Sequence, residues 1–230
     1  TFRVITAEED KPNYVLQRVN HNVFPDVDMV MRNIHAVTSH IRGKLEASGT
    51  EDIDRRVLTF IPSKEDADKL YCVVDGQYWR IMVFIPNAIT KQAVNPDSSR
   101  AAGKAFGEFQ AMLADIPVTL GETIKDFHNM EFRLQQLREV IAADPAGRVQ
   151  EPQVQEMLRQ IEERAEEMCK AERMGREGTL PKRVCHCDTK VNNMMFDQED
   201  NVLCVIDLDT VMPNFIFSDY GDFLRTGANK

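Results

Sequence analysis

The chain has 230 residues, 43% hydrophobic and 28% charged, an ordinary globular composition that excludes a wholly disordered protein. Its 28 basic and 37 acidic side chains leave a formal charge of −9, which argues against nucleic acid as the main partner but not against a small phosphate ligand held by local cations, backbone N–H groups or a metal. The longest apolar runs, such as residues 81–85, are far too short to cross a bilayer, so no membrane partner is expected. At about 150 residues per domain the length fits one large or one two-lobed unit. Cys72, Cys169, Cys185, Cys187 and Cys204 show no disulfide-framework spacing and read as reduced thiols of a cytoplasmic protein.

Residues 2–6 and 14–19 are apolar and β-branched, flank a polar turn containing Pro12, and predict a hairpin. Asp26 is a candidate N-cap. From Val27 to Leu45 apolar residues recur at helical spacing, and Gly49 closes that segment. A strand is predicted at 57–61. A second hairpin is predicted at 70–74 and 78–84, turned by Asp75-Gly76. From Asn95 onward the pattern is helical. One stripe includes Ala102, Phe106, Phe109 and Leu113, a second runs over 129–143, and a third over 152–174, whose Glu and Arg residues form a solvated face. Short apolar runs at 183–187, 193–196 and 202–206 complete the chain. The expected class is α+β. A small antiparallel-sheet lobe occupies 1–86, a mainly helical lobe occupies 87–230, and residues 83–86 form the hinge. A cleft between lobes is a frequent ligand site.

The chemistry gathers between residues 184 and 222. Asp188 follows His186 by two residues and precedes Asn193 by five, and Ile206-Asp207-Leu208-Asp209 follows on an expected strand. Alternation along that strand would place Asp207 and Asp209 on one face. Carboxylates and an amide in one place make a hard oxygen site of the kind magnesium shares with phosphate oxygens.

The pattern His186-x-Asp188-x-Lys190-x-x-Asn193, followed by Asp207, resembles the catalytic loop and metal-binding segment of the aminoglycoside phosphotransferase and choline kinase family, whose fold is protein-kinase-like. Residues 188–193, 205–213 and 218–222, with 14–20 and 23–24 upstream, are most similar to the N-acetylhexosamine 1-kinases within it. The resemblance implies ATP and magnesium as cofactors. It implies Asp188 as the catalytic base, with Lys190 beside it stabilising the transferred phosphoryl group. Asn193 and Asp207 would be the metal ligands, and His186 and Asp219 would brace the loop. It implies an adenine seat at the backbone near Val83 and Ile85. The implied acceptor is the anomeric hydroxyl of an N-acetylhexosamine, in a protein expected to be a monomer. Another small alcohol, an aminoglycoside-like acceptor and a non-catalytic nucleotide binder are the alternatives.

The strand expected to present a phosphate-contacting lysine carries Gln17-Arg18, so Arg18 is the expected cation, and no glutamate precedes Glu46 in the following helix. The resemblance also implies chain on both sides, with a phosphate-covering loop before Thr1 and further helices after Lys230. His128, Asn129 and Arg225 are candidate acceptor contacts, whereas His21, His35 and His40 read as surface or capping residues. Trp79 and Phe84 read as packing. Cys185-His186-Cys187 lacks the second ligand pair of a structural zinc site. Asp207-x-Asp209 alone would also fit a nucleotide-sugar glycosyltransferase, which leaves His186, Lys190 and Asn193 unexplained.

Overall fold

The protein is described by a computed structural model covering residues 1–228. A four-stranded antiparallel sheet is built from β1 (Phe2–Val4), β2 (Tyr14–Val19), β3 (Cys72–Val74) and β4 (Gln77–Val83), in the order β1-β2-β4-β3. Asp75 and Gly76 both take positive φ, 49° and 70°, as a two-residue hairpin turn requires. Helix α1 (Val27–Ala47) starts where the Asp26 carboxylate accepts the Met29 N–H at 2.8 Å. Its stripe of Val27, Val30, Ile34, Val37 and Ile41 is buried in the main core with Val19, Leu58 and Ile85.

The expected strand at 57–61 is not one. A short helix α2 (Ile53–Arg56), which no sequence signal announced, precedes it, and only Phe60 forms a bridge, to Met82. The Ile61 N–H donates to Ile81 O and the Val83 N–H to Thr59 O, both at 2.9 Å, so the segment covers the edge of β4 beyond the short β3.

Helix α3 (Pro96–Met112) opens on a reciprocal cap: Asn95 Oδ1 accepts the Ser98 N–H, and Ser98 Oγ accepts the Asn95 N–H. Next come α4 (Met130–Ala143), α5 (Pro152–Met168) and α6 (Lys170–Arg176). The single helix expected over 152–174 is thus broken at Cys169, and no glycine or proline in the sequence marks the break. The chain then forms β5 (Arg183–Cys185), β6 (Met194–Phe196), β7 (Val202–Val205), β8 (Met212–Asn214) and α7 (Ile216–Ala228). Strand β5 pairs with β8 and β6 with β7, both antiparallel.

Contacts divide the chain into two compact units. One comprises Thr1–Ile124 with Arg183–Lys230, the other Lys125–Lys182. The second holds α4, α5 and α6 around Leu134, Ala165 and Cys169, with Arg138–Glu162 and Arg176–Glu131 ion pairs on its surface.

Within the first unit one buried amide ties α1 to two loops. Asn33 is 3% exposed. Its Nδ2 donates to Gly121 O (2.8 Å) and Val211 O (3.0 Å), and its Oδ1 accepts the Gly121 N–H (3.0 Å). A Cβ on residue 121 would meet Met29 Sδ at 2.1 Å, so a larger residue there would have to displace the Met29 side chain. Asn33→Ala leaves buried donors and acceptors unpaired. It is expected to lower stability by about 2–4 kcal/mol, read as a shift of the urea midpoint at unchanged slope. An unchanged midpoint would show that the amide does not hold the loops.

Candidate active site

The loop from His186 to Asn193 follows β5 and is fixed from beneath by one carboxylate. Asp219 on α7 is 3% exposed. Its Oδ2 accepts the His186 N–H (2.9 Å) and Gln110 Nε2 (2.7 Å), and its Oδ1 accepts the Cys187 N–H (2.8 Å). Cys187 has φ 64°, an uncommon left-handed conformation for a residue with a side chain, and these two adjacent N–H bonds hold it. Thr189 Oγ1 donates to Asp219 O at 2.6 Å, and Thr210 Oγ1 to His186 O at 2.8 Å.

His186 is fully buried, with the Phe106 and Phe109 rings 5.7 and 5.8 Å away. Its Nδ1 accepts the Asp188 N–H (3.3 Å) and its Nε2 donates to Ile206 O (2.8 Å), which fixes the tautomer. The ring therefore spans from the loop to the chain just before Asp207. His186 and Asp219 thus tie the loop to the chain before Asp207 and to α7.

Above this brace, Asp188 Oδ2 accepts Lys190 Nζ at 2.6 Å and Asn193 Nδ2 at 3.0 Å. Asn193 Nδ2 also donates to Asp188 O at 2.8 Å, so its amide oxygen is the atom left to face a ligand. Asn193 ends a single 3₁₀ turn, and its carbonyl accepts the Ile206 N–H at 2.9 Å.

Asp207 departs from the strand geometry expected of it. Strand β7 ends at Val205. Asp207 takes the left-handed conformation (φ 61°, ψ 55°), and Leu208–Thr210 is a 3₁₀ turn. Period-two alternation does not reach Asp207 and Asp209, and the two carboxylates have different partners. Asp209 accepts Arg80 NH1 at 2.5 Å. Asp207 makes no hydrogen bond or ion pair among the described residues. Burial, and then the nearby Asp209, push its carboxyl above the usual carboxylate range, with Lys190 opposing. The pair is therefore not the symmetric metal clasp of the glycosyltransferase reading.

A cavity of about 360 Å³ lies between the sheet and this loop. Val15, Met82, Met195 and Ile206 give it an apolar side, and Gln17, Arg80, Asn193 and Asp207 a polar one. Asn193 and Asp207 thus line one space. A partly buried carboxylate without a protein cation, beside an amide oxygen, fits magnesium, which needs only one or two protein carboxylates and takes its remaining ligands from phosphate and water. Among the described residues no three or more His, Cys, Asp or Glu are grouped to hold a metal by themselves.

None of the expected nucleotide contacts lines this cavity. Arg18 is exposed and lies on the other face of β2, because Val15 and Gln17 point into the cavity and side chains alternate. Trp79, opposite Arg18 in the register, stacks loosely on Phe2. Neither Val83 nor Ile85 lines the cavity. The Val83 N–H is bonded to Thr59 O, and Ile85 is a core residue. The sequence reading missed Gln17, Arg80 and Met82, because the β2–β4 pairing that groups them joins segments some sixty residues apart.

Of the expected acceptor contacts, Asn129 is a helix cap: its Oδ1 accepts the Phe132 N–H and its Nδ2 donates to Asp126. His128 stacks on Phe127, with ring centroids 4.5 Å apart. Both belong to the second compact unit. Arg225 is ion-paired with Asp222 and is not in the cavity lining.

The Asp188 carboxylate is thus held by an amide and an amine, on a loop anchored from the following helix and beside a cavity lined by the sheet. A model of the phosphotransferase enzyme family, APH, matches residues 1–229, and the chain belongs to that family. Among solved structures it is similar to an aminoglycoside phosphotransferase from Alicyclobacillus acidocaldarius, at 14% identity and TM-score 0.56, covering 98% of this chain and 67% of that one. It is also similar to the aminoglycoside phosphotransferase APH(3'')-Id from Streptomyces rimosus in complex with ADP and streptomycin, at 14% identity and TM-score 0.50, covering 93% and 71%. The chain thus spans about two thirds of the length of these structures, and the α+β kinase-like fold is shared.

The cysteines beside the loop are structural. Cys185 Sγ donates to Asn214 O (3.5 Å), and Cys187 Sγ accepts Asn214 Nδ2 (3.4 Å). Burial pushes the Cys187 and Cys204 thiols up to about 12 and raises Cys185 further. At pH 8 these three are thiols, the unreactive form. A thiol-disulfide reagent is expected to modify the half-exposed Cys72 quickly in the folded protein, and Cys185, Cys187 and Cys204 only after denaturant is added. Peptide mapping that found Cys187 labelled as fast as Cys72 would contradict this burial.

Proposed function

We propose that this chain transfers the γ-phosphoryl group of ATP to a hydroxyl of a small-molecule acceptor, with Asp188 as the general base. The observation that carries the reading is the Asp188 carboxylate. It is oriented by Asn193 at 3.0 Å and Lys190 at 2.6 Å, beside a cavity shared by Asn193 and the unpaired Asp207. Phosphoryl transfer asks mainly for positioning and charge neutralisation, and this arrangement offers both. Asp188 accepts the acceptor's hydroxyl proton. Lys190 then faces the charge that develops on the transferred group. Asn193, through its amide oxygen, and Asp207 would hold magnesium, which when bound neutralises the phosphate oxygens. ADP is bound by the Streptomyces rimosus enzyme whose fold is shared, which supports ATP as the donor. Residues 1–86 would be the nucleotide-side lobe and 87–230 the acceptor-side lobe, joined at 83–86.

For the acceptor we propose the anomeric hydroxyl of an N-acetylhexosamine, giving the sugar 1-phosphate. The support is the sequence resemblance, strongest over 184–228 and carried by residues 188–193, 205–213 and 218–222. An assay with labelled ATP over N-acetylglucosamine, N-acetylgalactosamine, choline and an aminoglycoside tests this directly. The N-acetylhexosamines are expected to react fastest and to give 1-phosphates by NMR. Preferential turnover of choline or the aminoglycoside would overturn the acceptor while keeping the kinase.

Asp188→Asn is expected to fold normally and to lower kcat by about 10²–10⁴-fold, with little change in ATP affinity. Near-wild-type turnover in a variant with unchanged circular dichroism would remove Asp188 from the role of base. Asp207→Ala should raise the magnesium concentration needed for half-maximal rate more than Asn193→Ala does, because a charged ligand is harder for water to replace.

A further inference from the structure

A guanidinium lies buried in the wall of the cavity and has no place in the scheme above. Arg80, on β4, has a side chain only 2% exposed, yet it lines the same space as Asn193 and Asp207. Its Nε and NH2 donate to Gln17 Oε1 at 3.1 and 2.8 Å, and its NH1 donates to Asp209 Oδ1 at 2.5 Å. A fourth contact, NH1 to Met31 Sδ at 3.6 Å, is to a thioether, a weak acceptor. The Phe60 ring lies 5.5 Å away.

Three features set this residue apart from a simple structural ion pair. First, the register puts Gln17 directly opposite Arg80, so the cavity-facing position of β2 is neutral and the charge comes from the neighbouring strand. Second, Gln17 accepts two of the guanidinium's N–H groups through a single oxygen, which orients the fork without neutralising it. Third, a guanidinium has five N–H donors, and its one charged partner, Asp209, takes one through NH1. These contacts engage four of the five N–H groups, so the plane is locked with its charge paired to Asp209, and one NH2 hydrogen is left in the wall of a cavity that also presents Asn193 and Asp207. Phosphate is the ligand chemistry that a planar, oriented guanidinium matches best.

We propose that Arg80 is the cation that the sheet presents to the phosphates of the nucleotide, with Gln17 and Asp209 as the groups that aim it. This rests on the nucleotide reading above and names the residue that performs a task the exposed Arg18 cannot.

The test compares ADP with adenosine, which differ only in the phosphates. Both are titrated calorimetrically at saturating magnesium into the wild-type chain, Arg80→Lys, Arg80→Met, Asp209→Asn and the double variant Arg80→Met/Asp209→Asn. Arg80→Met should weaken ADP by about 10–100-fold, the range of a charge-assisted hydrogen bond, and adenosine by less than about threefold. Arg80→Lys should recover part of the ADP affinity, because it keeps the charge but loses the fork. Arg80→Met leaves Asp209 buried and unpaired, so it is the variant at risk of misfolding. The double variant removes that charge, and measured against Asp209→Asn it should show the same selective loss. Equal losses for ADP and adenosine, or no loss for either, would overturn the proposal and leave Arg80 as a tether between β4 and the acidic turn. A wild-type chain that binds neither ligand is a different result and overturns the nucleotide reading itself.

Discussion

The loop from His186 to Asn193 depends on the burial of one carboxylate. Without Asp219, two successive backbone N–H groups, those of His186 and Cys187, would be inside the protein with no acceptor. An unpaired buried donor costs about 1–3 kcal/mol, and Cys187 would in addition lack what holds its left-handed backbone. With Asp219 in place, the chain reverses sharply at Cys187, and the next residue, Asp188, emerges beside the cavity. Gln110 on α3 supplies a third bond to the same carboxylate, which fixes the side chain from the opposite direction. The loop is thus positioned by helices that contribute nothing to the cavity wall.

The same logic of buried polar groups links the sheet, α1 and the acidic turn. In kinases of the lysine–glutamate type a charged pair joins strand and helix. Here the helix offers no such glutamate, and neutral and charged contacts share the work. Asn33 clamps α1 to Val211, just past the turn. Arg80 reaches from β4 to Asp209 within the turn, and His186 bonds Ile206 just before it. Three side chains from three elements therefore converge on residues 206–211. A turn held from three sides can keep Asp207 in a left-handed conformation that an aspartate tolerates but does not favour.

Much of this was legible in the sequence, and the reasons are local. Asp26 sits immediately before an apolar stripe, so the start of α1 followed from capping, whereas the reciprocal cap of Asn95 and Ser98 at α3 was not read from the sequence. Asp75-Gly76 marked its hairpin because few other dipeptides take positive φ twice. The spacing of His186, Asp188 and Asn193 matched because the loop is short and its bonds span few residues. What was illegible was set by distant pairing. Whether Gln17 or Arg18 faces the cavity depends on which face of β2 packs inward. That is decided by pairing with β4 and by α1, not by the strand's own weak alternation. The fate of Asp209 likewise depends on Arg80, 129 residues away. The segment at 57–61 has the composition of a strand, but α2 delivers it to an edge already half occupied by β3, where room remains for a single bridge.

Charge at the site constrains how ligands can enter. Asp188, Asp207 and Asp209 face two cations, Lys190 and Arg80, which leaves an excess of one negative charge before any ligand arrives. The chain as a whole is acidic, at −9, so no long-range field draws a polyanion in. Under the proposed reading a bare nucleotide would bring three or four more negative charges to a partly buried carboxylate whose proton affinity is already raised by burial and then by Asp209. A divalent cation carried by the nucleotide reverses that balance, because it meets Asp207 as an attraction instead of a repulsion. Donor and metal should therefore bind as one species, with Asp207 as the group that reads the metal. The two cations then differ in duty according to their partners. Under the same reading Lys190, paired with Asp188, would face the charge that moves during transfer, whereas Arg80, paired with Asp209, would present a field that stays constant through it.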